Sequence, residues 1–568
     1  MKNKYLKFCF FIFAFSVFCV PSVFAKGEKD VLENGDTGDI IKETGKNEQE
    51  EKIIYTEFIT PDSHVYDAMH ILALQAGRVN LSDRRSQSKA EIATYLKAID
   101  VNELDAKTRE LYDMVYEHIY NKKPLLKKDW FCLDTNLLLS LQVQYVDDKH
   151  EPRADKFTRY NSTPPLISVP LSFSFTPYVN LYGDFNFRKN YWATQITYPY
   201  TNMPLTSNSF DANFPTRAGL NLGNRFMRFS IGRGSVNVGK TLSGSMLLSD
   251  TSDNIDYASL AFFHKDVHLS STVYSMERYR FLFTHEVHFT ASKYVGIRLY
   301  EGTTLAGSFD FRYLNPMMIF HNLFGWEDKL NSSDPSPNGS QFGVGLEVVP
   351  IKGLRFYGQF EMNQFQTKYE LEHYSSSAKK TPNSLGGLAG VEYNHVTDKG
   401  FLDFNAEFMY ANPWLNIMEN KKISLFDIKT ETVAPSGYEG KKKPIHIWLS
   451  NPLGPDTTGF FVKFGFREFQ KFDFEFLYRF LAKGENEAKF LAAGGDYYPS
   501  TMEEVKYKTP SGTPTFFHTL KAKGKYYILP NLKTLTEVSW TIAHGKNCGN
   551  SFSISSSLNY QILPRQAR

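Results

Sequence analysis

From about Leu166 to Leu563 this chain alternates apolar and polar residues in run after run. The clearest run is Phe472, Phe474, Phe476, Tyr478 and Phe480, interleaved with Lys471, Asp473, Glu475, Leu477 and Arg479. A period of two puts one set of side chains on each face of a strand. One face is then aromatic and the other mostly charged. That combination suits a strand with lipid on one side and water on the other. Strands can cross a bilayer only as a closed barrel, because every backbone N–H and C=O must find a partner away from water. The reading is therefore all-β, a transmembrane antiparallel β-barrel.

The gaps between the alternating runs provide a second test. Counting back from the last run, Ser551 to Leu563, tight turns fall at Pro530–Leu532, Gln470–Lys471, Val396–Gly400 and Pro350–Gly353. Between them come the last turn, Gly545 to Asn550, and the longer stretches Ala482–Pro514, Ala411–Thr457, Lys368–Leu385 and Asn315–Ser340. The longest loops thus gather at one end and tight turns at the other, as in outer-membrane barrels. A soluble β-sandwich has no reason to show this asymmetry. Placing the tight turns in the periplasm puts both termini there. A barrel region of roughly 440 residues, at ~24 residues per strand and connection, holds about 18 strands.

The N-terminal part reads differently. Residues 1–25 carry a basic start (Lys2, Lys4, Lys7), an apolar stretch from about Phe8 to Val20, and Val23-Phe24-Ala25 before Lys26. That is the pattern of a cleaved secretion signal. The apolar stretch is short for a membrane-spanning helix, which needs about 20 residues. Phe18 is a poor neighbour for an acylated Cys19. Residues 26–56 are polar and charged and read as a flexible linker. Residues 57–125 read as three short helices. Asp62 or Ser63 caps the first and Gly77 ends it; Ser88 and Glu91 form a capping box for the second. Leu104, Leu111, Val115 and Ile119 mark the third. Such helices pack as a bundle or against the barrel mouth, and are expected to serve as a periplasmic plug or contact point. The barrel occupies 128–568.

Composition agrees with this organisation. Mean hydropathy is −0.37, yet the chain holds 48 Phe and 33 Tyr. Half of each barrel strand faces water, and aromatic residues mark the membrane interfaces. The net charge of +3 gives no ground for a nucleic-acid partner. Beyond residue 25 the cysteines are Cys132 and Cys548. The topology puts them at opposite ends of strands of about ten residues, about 30 Å apart and beyond the roughly 7 Å reach of a disulfide. Two free thiols are expected.

Gly234-Ser-Val-Asn-Val-Gly239-Lys240-Thr241 matches the P-loop pattern letter for letter. A phosphate-binding P-loop needs a helix behind it. Leu242-Ser-Gly-Ser-Met-Leu-Leu-Ser-Asp250 makes a poor helix, and no nucleotide is expected. His285 and His288 do not share a strand face, and no HExxH, GxSxG or paired-Cys motif stands out. The expectation is no catalytic residue, no metal and no cofactor.

Read more widely, Gly232-Arg233, Gly239 and Gly244-Ser-Met-Leu-Leu-Ser-Asp250 resemble the "GR…G…GSLLLSD" stretch of the Wzi-type capsule-assembly family of outer-membrane proteins. His285-Glu286, Leu299-Tyr300-Glu301-Gly302 and Tyr313-Leu314-Asn315-Pro316 are similar to its "E-G…YLNP" segment. Asp62, Ala68, Ile71-Leu72, Gly77 and Ser88-x-Ala90-Glu91 are similar to the surface-layer-homology-like pattern found before some such barrels. The family commonly has Trp where Val238 stands. The resemblance lies along about residues 60 to 330. It implies a barrel of about 18 strands with a periplasmic helical unit, a lectin-like protein that organises capsular polysaccharide at the surface. It also singles out Arg233, Asp250, Glu301 and Asn315. They read as lumen-facing contacts to sugar or as a polar network that closes the lumen.

Sugar binding needs aromatic faces beside polar groups, with positive charge for an acidic glycan. The segment Ala411–Thr457 offers Trp414, Tyr438, Lys441, Lys442, Lys443 and Trp448. Trp326, Tyr497 and Tyr498 lie in other outer segments. The same residue types also belong to interface belts. The expected partners are outer-membrane lipid, a capsular or other surface polysaccharide, and a periplasmic contact through the helices. A porin-like channel for sugars or other small solutes is the alternative, and an adhesin or structural envelope protein the third.

Overall fold

The computed structural model describes residues 54–121, 124–189, 200–204, 210–211, 214–235, 237–252, 254–320, 338–367, 369, 381–433 and 441–562, with backbone alone over 429–433 and 441–444. The proposed secretion signal and most of the linker lie outside these residues, as do Trp326 and Tyr438.

An antiparallel ladder of 18 strands closes on itself. The first strand is broken at Asn136-Leu137 into Cys132–Thr135 and Leu138–Asp147. Its second piece pairs with the last strand, Gly549–Gln561, through Leu139↔Tyr560, Leu141↔Leu558 and Tyr145↔Ile554. Closure leaves no sheet edge to satisfy. The alternation seen in the sequence is the wall of this barrel. Leu139, Leu141, Val143 and Tyr145 are exposed outward, whereas Ser140, Gln142 and Gln144 are buried inward. In the aromatic strand Phe472–Lys483, Phe472 and Phe476 face out while Arg479 is buried in the lumen. An apolar exterior costs nothing in lipid, and the polar interior has its own partners. No helix among the described residues is long and apolar enough to cross a membrane.

Tight turns such as Pro177-Tyr178, Lys293-Tyr294, Lys352-Gly353 and Pro530-Asn531 gather at one end. The longest connections leave from the other. Gln470 and Gly353 have positive φ in two of the tight turns, where reversal over so few residues demands it. Cys132 and Cys548 are free thiols.

The three helices form as their caps require. α1 (His64–Gln75) is capped by Ser63, whose side chain accepts from Val65 N–H; the chain leaves it through Gly77 at φ +65°. α2 (Lys89–Lys97) has the complete Ser88/Glu91 capping box. α3 (Ala106–Tyr116) is capped by Asp105. Of a plug or a contact point, the helices form a plug: α1 and α2 extend into the lumen at the tight-turn end, and α3 packs beside α1. Val79 N–H donates to Lys293 O (2.9 Å) and Gly353 N–H to Leu74 O (2.8 Å). The reason is charge. α1 is buried on nearly every side, and its polar residues meet lumen-facing charges that a bundle in water would not bury.

Candidate functional site

The lumen is occupied by the chain itself, from three directions. From the tight-turn end comes the helical unit. Glu91 of α2 receives Arg228 through Nε (2.8 Å) and Nη2 (3.3 Å), and its Oε1 lies 3.3 Å from His268 Nε2. Arg84 pairs with Glu286, Asp83 with Arg298, and His70 with Glu392 (2.8 Å). Asp67 meets Lys240 (3.2 Å) and Arg467 (2.8 Å). Apart from Lys240, which lies in the segment after Gly234, these partners come from strands well apart around the wall. Burial alone would raise the carboxyl pKa values of Asp83 and Glu91. Arg298 and His288 beside Asp83, and Arg228 and His268 beside Glu91, outweigh it and bring both down to about 2. Asp67 is likewise buried, yet Arg467 and Lys240 hold it well below the usual carboxylate range. For His70 burial dominates over Glu392 and lowers the pKa.

The second filling is the segment between the strands Met227–Gly234 and Ile255–His264, which includes the P-loop lookalike. It forms no helix among its described residues. Instead it runs through the lumen with Val238, Met246, Leu247 and Leu248 buried. Glu407 accepts from Leu242 N–H (2.7 Å) and Ser243 N–H (2.9 Å), and Gln359 Oε1 accepts from Met246 N–H (2.8 Å). The glycines of the motif serve close approach. A Cβ at Gly239 (φ +90°) would sit 2.4 Å from Gln359 Nε2, and one at Gly244 (φ +98°) 2.3 Å from Pro452 Cγ.

The third filling closes the long-loop end. α4 (Arg153–Ser162) enters there and sets Asp155 against Arg479 in a two-point ion pair. Over it lie the hairpin Phe426–Val433/Lys441–Trp448 and α5 (Asn486–Ala492).

This lid corrects the placement of the aromatic candidates. Trp414 is 1% and Trp448 2% exposed. Both belong to one core with Ile417, Phe426 and Phe490. Trp414 Nε1 donates to Glu504 O (3.1 Å) and Trp448 Nε1 to Glu487 Oε1 (2.7 Å). Neither indole offers a face to a sugar; each packs the lid, because the described residues of the 412–456 segment fold back over the lumen instead of standing out in water. Lys441, Lys442 and Lys443 lie on the second strand of the hairpin. What reaches the surface is the tyrosine rim around Trp414. Tyr497 (5.6 Å between ring centroids), Tyr498 (6.1 Å) and Tyr507 (6.4 Å) surround it and are all half-buried. Lys489 Nζ lies 5.1 Å from the Tyr507 centroid, and Lys421 reaches Asp496 (2.8 Å). Tyr507 and Lys489 had no motif to mark them. Their signal was only the aromatic content of the long segment after Lys483.

The four motif residues do not come together, and three are not in the lumen. Arg233 projects outward and pairs with Asp256 (2.8 and 2.9 Å). Glu301 faces outward too, in register with His285 and Phe342. Strand parity decides this, since the inward positions on those strands are Arg228, Ser230, Arg298 and Tyr300. Asn315 caps a short exposed helical turn and accepts from Met317 N–H (3.1 Å). Asp250 alone joins the filling, 3.6 Å from Arg85 of the helical unit. Among the described residues no group of three or more His, Cys, Asp or Glu is placed to hold a metal ion.

Comparison with known proteins is informative at the level of fold. No protein-family model and no curated protein matches the sequence. Among solved structures, Wzi, an outer-membrane protein involved in group 1 capsule assembly in Escherichia coli and described as a carbohydrate-binding β-barrel, superposes with a TM-score of 0.53 at 11% identity, over 88% of this chain and 98% of that one. OprD of Pseudomonas aeruginosa gives 0.39 at 9% identity over 78% and 97%. OmpT of Vibrio cholerae, with loop L8 deleted, gives 0.31 at 8% over 76% and 100%. The fold is that of an outer-membrane β-barrel.

Proposed function

We propose that this protein is an outer-membrane barrel that binds or anchors a surface polysaccharide, and that it works from its outer rim and not through its lumen. The observation that carries the reading is the filled lumen. A diffusion channel needs a continuous polar path, whereas here helices, an inward segment and a lid are tied to the wall by buried ion pairs. The likeness to Wzi agrees with it in fold. In this reading the long-loop end faces outward and both termini lie in the periplasm, where the helical unit has an open side for an envelope contact.

The glycan site is the rim formed by Tyr497, Tyr498 and Tyr507. Aromatic faces stack on the apolar faces of sugar rings, and Lys489 and Lys421 add positive charge for an acidic polymer. Trp414 and Trp448 act beneath it by holding the lid. Arg233, Glu301 and Asn315 have no part in this site. The test is equilibrium binding of acidic and neutral surface polysaccharides to the refolded barrel, alongside Tyr497→Ala/Tyr507→Ala. Saturable binding lost in the variant is expected. Equal binding by both proteins places the site elsewhere, and no binding by the wild type removes the lectin reading.

A further inference from the structure

The lid and the wall meet at a carboxylate with no counter-charge. Glu361, on the strand Leu354–Gln364, points into the lumen and is 0% exposed. Other lumen carboxylates are matched. Glu286 has Arg84 and Arg298, Glu347 and Glu392 share Arg355, and Glu407 accepts from two backbone N–H groups and the Tyr357 hydroxyl. Glu361 has only neutral neighbours among the described residues. Gln341 Nε2 donates to its Oε1 (2.6 Å), and Ser450 and Asn416 of the lid stand beside it. Its Oε2 has no hydrogen-bond partner. A charge buried in a protein is paired or coordinates a metal, because desolvation costs far more than one hydrogen bond returns.

The amides around it have the same deficit. Gln341 Oε1 and Asn416 Oδ1 are buried and unpartnered too. Gln341 Nε2 donates also to Leu247 O (2.9 Å), and Asn416 Nδ2 to Ser450 Oγ (2.6 Å). A half-turn of an amide interchanges its oxygen and nitrogen with little change of shape. Turned, the Gln341 oxygen would join Glu361 Oε1 and Leu247 O, and the Asn416 oxygen would join Ser450 Oγ. Carboxylate, amide, backbone and hydroxyl oxygens would then face one another, an arrangement stable only around a cation. The same half-turn directs Gln341 Nε2 toward the Tyr300 hydroxyl, which is also buried and unpartnered. Both groups stand over Gly302, 2.9 and 3.4 Å from where a Cβ would lie.

We infer that these oxygens hold one hard metal cation, bound by Glu361 and Gln341 of the wall, Leu247 O of the inward segment, and Asn416 and Ser450 of the lid. Carboxylate, amide and carbonyl oxygens suit hard cations. The single carboxylate favours one positive charge, sodium, because a buried site close to neutral carries the smallest desolvation cost. The ion ties wall, inward segment and lid together at one point and is independent of the glycan rim.

The probe is the ion itself. The barrel is refolded in choline chloride, and sodium chloride then replaces it at constant ionic strength. Hydrogen exchange is followed in the lid at Asn416, Ile417 and Leu449. With sodium at about 100 times its dissociation constant, lid opening should fall about a hundredfold, and exchange of these amides should slow by the same factor. Amides of the strand Phe401–Ala411 should not change. Glu361→Gln keeps the shape, removes the charge and should erase the response. Gln341→Met should weaken it, and stands in if Glu361→Gln fails the heat-modified gel test for a closed barrel. Calcium chloride up to about 1 mM is the second arm. A response to calcium alone, erased by Glu361→Gln, supports the site and overturns the sodium assignment. Exchange independent of both ions, or an equal response in Glu361→Gln, overturns the site and leaves Glu361 as a neutral carboxylic acid.

Discussion

Replacing Glu91 with Ala should release the helical unit from the lumen while leaving the barrel intact. Glu91 is fully buried and does two jobs. Its carboxylate neutralises Arg228 and approaches His268, and it closes the capping box by accepting from Ser88 N–H (2.7 Å). Breaking a buried pair by removing one partner costs about 3–5 kcal/mol, because the other charge stays buried and unpaired. The lost cap adds about 1 kcal/mol. At 1.4 kcal/mol per tenfold, docking of the helices should weaken by roughly three to four powers of ten. Hydrogen exchange reads this directly, since amides that exchange by local opening follow the local and not the global free energy. Amides of α1 and α2 should lose protection in Glu91→Ala, while those of the strand Phe401–Ala411 should keep theirs. The double variant Glu91→Met/Arg228→Met removes both charges and should recover part of the loss. Unchanged protection in Glu91→Ala, or uniform loss over helices and strands alike, would refute the idea that buried charge pairing docks the helices as a separable unit.

Acid should undock the helices in a defined window. Asp83 and Glu91 have folded pKa values of about 2, below the unfolded values near 4. Their contribution is therefore complete above about pH 4 and is lost as pH falls toward 2, so protease sensitivity of the 57–121 region should be flat from pH 8 to 5 and rise below about pH 4. Gly239→Ala should destabilise the inward segment by about 1–3 kcal/mol, because the new Cβ meets Gln359 and Arg298 at a positive φ; a thermal melt indistinguishable from wild type would contradict that packing. Trp414→Ala should cost about 3–5 kcal/mol as a buried aromatic deletion and abolish glycan binding indirectly, whereas Tyr507→Ala should weaken binding with little change in melting. In intact cells a membrane-impermeant maleimide should label Cys548, exposed in the last turn of the long-loop end, and should not reach Cys132; the reverse pattern would invert the topology.

The wall of this barrel was legible because its physics is local. Alternation, tight turns and helix caps depend on neighbours a few residues away, so Ser63, the Ser88/Glu91 box and the turns at Gln470 and Lys352-Gly353 could be read directly. The interior was not. Glu91 meets Arg228 137 residues on, and His70 meets Glu392 at a separation of 322. No local pattern distinguishes a polar helix face destined for a lumen from one destined for water. The same gap explains the tryptophans. A Trp beside lysines in a long loop reads equally as a sugar platform or as the core of a lid, and only the packing of Trp414 and Trp448 against Phe426 and Phe490 decides. Arg233 was assigned to the lumen from its motif, but the pairing Ala218↔Arg233↔Asp256 puts it on the lipid side. One residue of register separates the two faces of a strand.

Ion conductance of the wild-type barrel in planar bilayers at neutral pH tests the account most directly, because the proposed function rests on a lumen closed by the chain itself. Insertion without a steady ohmic conductance is the expected result, and Glu91→Ala alone should leave the lumen closed, because the inward segment and the lid remain in it. A stable open channel in the untouched protein would contradict the closed lumen and return the porin reading to first place.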